Sequence, residues 1–161
     1  MILIIGYGNS LRGDDGAGLL LAERLEQAWQ TRQVPVERIA SQQLTPELAV
    51  EIARPAIDTV VFVDAALENP ADKLAAIRVY PLTPDLASPS LGHQLNPAMV
   101  LVYAAKLYYK QLPAWQVTIS GVAFDHSETL SEPVQQALTA APDTLAEWLD
   151  QLATTALAAA R

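Results

Sequence analysis

Hydrophobic positions alternate along the chain between short continuous runs and longer stripes at helical spacing. Ile2 to Gly6 is a β-rich run of the first kind, the pattern of a strand covered on both faces. From Asp14 or Asp15 onward, Leu19, Leu20, Ala22, Leu25 and Ala28 recur at helical spacing toward Trp29. Val34 to Ala40 alternates loosely and predicts a second strand. Thr45-Pro46-Glu47 has the form of an N-cap followed by proline at the first helical position, with a helix to about Arg54. Thr59 to Val63, TVVFV, is the clearest buried strand and ends at Asp64. Ile77, Val79 and Leu82 predict another, placed near an edge by Pro81. A Pro- and Ser-rich loop spans Pro84 to Gly92, and helical spacing resumes from Gln94 to Lys110. Val117 to Val122 reads as a strand, and Ser131 to about Ala159 as a helix with Pro133 in its first turn.

Strands alternating with helices in this order predict an α/β domain covering residues 1–161. Its mostly parallel, twisted sheet of about five strands should be sandwiched between helices. Ligands of such sheets bind outside the carboxyl ends of the strands, where strand order reverses. The loops to search are those after Gly6, Ala40, Asp64 and Gly121.

Composition narrows the classes. Of 161 residues, 51% are hydrophobic and 17% charged, so a sizeable core is expected and disorder is not. Ten basic against eighteen acidic residues leave a net charge of −8, which repels phosphate backbones and anionic lipids. Neither a nucleic acid nor a membrane partner is expected. No cysteine is present, which removes disulfides, thiolate metal sites and Cys nucleophiles together. The opening MILIIGYGNS has no basic n-region, and no apolar run approaches a membrane span, so a cytoplasmic monomer is the expectation.

Five of the seven glycines are Gly6, Gly8, Gly13, Gly16 and Gly18, concentrated in one strand-to-helix loop. A dinucleotide fingerprint fails there, because Leu11 replaces its third glycine and Asp14 and Asp15 would oppose a pyrophosphate. A P-loop fails because none of Lys73, Lys106 and Lys110 follows a glycine. Asp14 reads most plainly as a helix N-cap. Asp15 cannot be the same cap and is the better candidate for a ligand or catalytic carboxylate. Asp64, directly after TVVFV, gains nothing from core packing at a strand end; the plainer alternative is a turn residue. His93 lies between a loop and a helix expected from Gln94, where an imidazole should stay neutral and able to bind a metal. His126, within Asp125-His126-Ser127-Glu128, reads as a solvated loop residue. Two carboxylates and an imidazole suit a divalent ion such as nickel or zinc. No HExxH, GxSxG or Ser-His-Asp signature accompanies them.

The segment Gly6-Tyr7-Gly8-Asn9-Ser10-Leu11-Arg12-Gly13-Asp14-Asp15-Gly16-Ala17-Gly18 resembles the opening signature of the [NiFe]-hydrogenase maturation endopeptidases. The resemblance continues through Val61-Phe62-Val63-Asp64-Ala65, His93-Gln94-Leu95 and Ser120-Gly121-Val122, nearly the whole chain. It implies a metal held by Asp15, Asp64 and His93, with Asp15 where the family commonly has Glu. It implies an endopeptidase that removes a C-terminal extension from the hydrogenase large-subunit precursor after nickel insertion. Nickel would then arrive with the substrate, and other divalent ions could occupy the same ligands. Where many members carry Gly-Gly-Thr, this chain has Ser41-Gln42-Gln43-Leu44-Thr45-Pro46-Glu47-Leu48, more like the subgroup serving cyanobacterial-type bidirectional hydrogenases. Gln42 and Gln43 are therefore candidates for substrate binding, with a plain polar loop as the alternative. Two other classes carry the same triad: a non-catalytic module recognising a metal-loaded partner, and a small-molecule metal-dependent hydrolase.

Overall fold

A computed structural model describes residues 1–67, 76–86 and 95–159. Its strands are β1 (Ile2–Tyr7), β2 (Val36–Ser41), β3 (Thr59–Leu67), β4 (Ile77–Leu82) and β5 (Ala114–Gly121). They form one sheet in the order β2-β1-β3-β5-β4, parallel except for the edge strand β4. The expected architecture is what the chain adopts.

The continuous apolar runs are explained by burial on both sides. Ile2, Ile4, Val61, Val63, Val117 and Ile119 face one core, under α1 (Ala17–Thr31), α4 (Glu132–Thr144) and α5 (Ala146–Ala159). Leu3, Ile5, Val60, Phe62 and Ala114 face the other, under α2 (Leu48–Ala53) and α3 (Pro97–Tyr108). Trp29 and Trp148 meet within the first core at 5.4 Å between ring centroids, and Trp29 Nε1 donates to the Leu149 carbonyl at 3.2 Å.

Several boundaries differ from expectation, each for a local reason. Asp14 and Asp15 sit in a 3₁₀ turn, Gly13–Gly16, ahead of α1 rather than capping it. Thr45 is not an N-cap either. Thr45-Pro46-Glu47 forms a turn whose carbonyls receive Leu48, Ala49 and Val50, so α2 begins at Leu48. α3 begins at Pro97, capped by Asn96 accepting from the Met99 N–H at 2.9 Å, and not near Gln94. The long C-terminal helix is two helices. Pro142 lacks the N–H that would bind the Leu138 carbonyl, and at Leu145 the backbone leaves helical geometry (φ −102°, ψ 8°) while still donating to the Ala141 carbonyl and accepting the Leu149 N–H.

Candidate active site at the sheet switch point

From β1 the chain crosses to β2 on one side, while β3 lies on the other. The carboxyl ends of β1 and β3 therefore diverge, which opens a crevice. β1 pairs with β3 only as far as Gly6 opposite Val63, but β3 runs on beside β5 to Leu67. Asp64 is thus not a strand-end residue as expected. It sits inside β3, at the first position beyond its pairing with β1.

The register makes Asp64 part of a polar row. Tyr7 pairs with Ser41, Asp64 with Thr118, and Thr118 with Arg78, so one level of the sheet carries Ser41, Tyr7, Asp64, Thr118 and Arg78. Two residues earlier the level reads Ile39, Ile5, Phe62, Gln116 and Tyr80. Side chains alternate along a strand, so both levels point to the α2–α3 face.

Asp15 reaches the same crevice from the loop after β1. Its Oδ2 accepts the Asn9 N–H at 2.9 Å, and Asn9 Oδ1 accepts the Leu11 N–H at 3.0 Å, so the loop orients its own carboxylate. The loop is also tightly folded. Gly8 has φ +147°, and a Cβ there would lie 2.1 Å from the Asp15 carbonyl oxygen. Burial pushes the Asp64 carboxyl up to about 6. The Ala65 N–H and the Tyr7 phenol pull against that, while the charge on Asp15 adds to it. The two carboxylates therefore act on each other. Tyr7 and Tyr80 are both held above the ordinary phenol range, first by burial and then by the Asp64 charge.

Asp14 does something else. It is fully buried and accepts the N–H groups of Val122, Ala123 and Ser131 and the Ser131 hydroxyl, each at 2.8 Å. Ser131 opens α4, and its hydroxyl serves Asp14 instead of its own helix. Burial alone would raise the Asp14 carboxyl, but the Ser131, Val122 and Ala123 donors outweigh it and hold it below the usual range. Asp14 ties the loop after β1 to the loop after β5.

The start of α1 completes the wall. Gly18 lies so close to β3 that a Cβ would stand 2.8 Å from the Asp64 Cα and 3.0 Å from the Tyr7 carbonyl oxygen. Both neighbours are backbone and cannot swing aside. Gly18→Ala is expected to destabilise the fold by about 1–3 kcal/mol and to displace Asp64. Chemical denaturation checks the first effect, and an unchanged midpoint would mean that α1 yields freely.

Of the five site residues expected from sequence, Asp15 and Asp64 are brought together. Gln42 and Gln43 are exposed in the turn after β2, on the same edge of the sheet, where the Ser41 hydroxyl donates to the Gln43 carbonyl at 2.7 Å. His93 lies outside the described residues. His126 is exposed in the loop after β5. Among the described residues no three His, Asp or Glu side chains gather around one point. Sequence reasoning missed Tyr7, Tyr80 and Gln116. Their signal was their parity with Asp64, which becomes readable only once strand register is known.

An α/β sheet with a carboxylate pair at its switch point defines a class of site suited to cations or to polar group transfer. No family model and no curated protein matches the chain. Solved structures do. A [NiFe] hydrogenase maturation protease HycI from Thermococcus kodakarensis KOD1 superposes with a TM-score of 0.64, at 22% identity over 92% of each chain. The hydrogenase maturating endopeptidase HybD from E. coli gives 0.64 at 21% identity, over 93% of this chain and 92% of that one. A hydrogenase 2 maturation peptidase from a Thaumarchaeota archaeon gives 0.56 at 21%, over 92% and 97%. This chain has the fold of those proteases.

Proposed function

We propose that the chain is an endopeptidase that trims the C-terminal extension of a [NiFe]-hydrogenase large-subunit precursor after nickel insertion. The observation that carries this reading is the meeting of Asp15 and Asp64 at the switch point, within a fold shared along nine-tenths of its length with hydrogenase maturation proteases. Two carboxylates offer oxygen ligands to a divalent ion, and His93 is the third ligand we assign. Nickel is cargo of the substrate in this reading, and its capture by Asp15, Asp64 and His93 fixes the scissile bond beside the site. Positioning of that kind is worth up to about 7–11 kcal/mol in favourable cases. A chain with no nucleophile motif depends on it, so general protease substrates are expected to be inert.

The test is incubation with nickel-loaded and nickel-free precursor, followed by mass analysis of the precursor C-terminus. The loaded form should be shortened and the nickel-free form left intact. Equal cleavage of both would remove nickel from the recognition step. Binding of the loaded precursor without cleavage would replace the peptidase with a recognition module.

A further inference from the structure

Gln116 is out of place. It occupies a level of the sheet otherwise filled by Ile39, Ile5 and Phe62 toward its interior, and it is only 4% exposed. A buried amide is costly unless it is given a partner. Its partner is the Tyr7 hydroxyl, which receives the Gln116 Nε2–H at 3.5 Å. Tyr7 in turn packs its ring against the α2–α3 core, where a phenylalanine would bury the same surface with no polar atom to satisfy. Tyr7 and Asp64 each lie two residues beyond the paired Ile5 and Phe62, on the same face of neighbouring strands, so a Tyr7 ring that reaches Gln116 on β5 passes over β3 beside Asp64. A tyrosine hydroxyl has a single proton. With its oxygen accepting from Gln116, that proton is directed to Asp64.

We propose that Tyr7 is a positioning residue for Asp64, itself held by Gln116, and that it fixes the carboxylate in the orientation that receives a divalent ion together with Asp15. The inference rests on the reading of Asp15 and Asp64 as the ion-facing carboxylates of the proposed peptidase. The Tyr7 phenol and the Ala65 N–H both favour the charged form of Asp64, against the burial that opposes it. Partners of this kind orient a ligating group without touching the ion, and their loss typically lowers metal affinity by about 10–100-fold.

The experiment is calorimetric titration of the full chain with nickel chloride at pH 8, alongside thermal unfolding without metal. Tyr7→Phe should weaken nickel binding at least about tenfold. It also strands the Gln116 amide, so the metal-free unfolding temperature should fall in Tyr7→Phe and recover toward the parent value in Tyr7→Phe with Gln116→Met. Nickel binding should stay weak in both, which a merely structural hydroxyl would not produce. Gln116→Met should weaken binding less, and should add nothing in the Tyr7→Phe background. A Tyr7→Phe affinity within about twofold of the parent chain would overturn the proposal, as would a Gln116→Met effect that persists undiminished in the double variant. If the parent chain takes up no nickel, the ligand reading of Asp15 and Asp64 falls on its own. The relay is then judged from crystals of Tyr7→Phe: a rotated Asp64 carboxylate supports it, and an unchanged one overturns it.

Discussion

Asp14→Asn is expected to lower the free energy of unfolding by about 3–4 kcal/mol, a large fraction of what holds a domain of this size together. The substitution keeps the shape and removes the charge. It also turns an amide N–H₂ toward donors that have no other partner, because all four bonds run from N–H or O–H groups into one carboxylate. The urea midpoint should fall with little change in its slope. A loss below about 1 kcal/mol would mean that the loops hold together without Asp14. Its pH dependence has a definite sign. The folded carboxyl lies below its usual value, so its contribution is complete above about pH 4 and is lost as the pH falls through the folded pKa.

Asp64 has the opposite sign, and Asp64→Asn should separate stability from function. Its carboxyl is raised from 3.8 to about 6, so across that window the folded chain binds more protons than the unfolded one. Stability therefore falls as the pH rises through the window, by about 3 kcal/mol at most. Asp64→Asn removes that penalty. The metal-free chain should gain about 1–3 kcal/mol at pH 7.5, with a stability profile flatter between pH 4 and 6. Processing of the nickel-loaded precursor should be abolished. A variant that processes normally would take Asp64 out of the site; one that unfolds more easily at pH 7.5 would contradict the cost assigned to its burial.

Much of this architecture was legible beforehand, because it depends on local patterning. TVVFV and ILIIG can only be strands covered on both faces, and helical stripes between them leave few topologies. Asp64 stood out as an acid directly after a strand, where core packing offers an acid nothing, and Asp15 as the acid left over once Asp14 was taken as the cap. What escaped depends on distance along the chain. Asp14 looked like a helix cap because a cap is local, whereas its partners lie 108 to 117 residues away. Tyr7, Gln116 and Tyr80 belong to three different strands, and only register puts them beside Asp64. The extension of β3 past Asp64 follows from the departure of β1, which TVVFV does not record.

The clasp around Asp14 also sets a timetable. A ribosome adds roughly 5–20 residues per second, so the Asp14 carboxylate emerges on the order of ten seconds before Ser131 exists to receive it. During that interval β1, α1 and β2 can assemble, but the loop bearing Asp15 has nothing to close against. The crevice takes shape only after every strand has been made, and a nascent chain stalled after β5 would carry all five strands with the working edge still open.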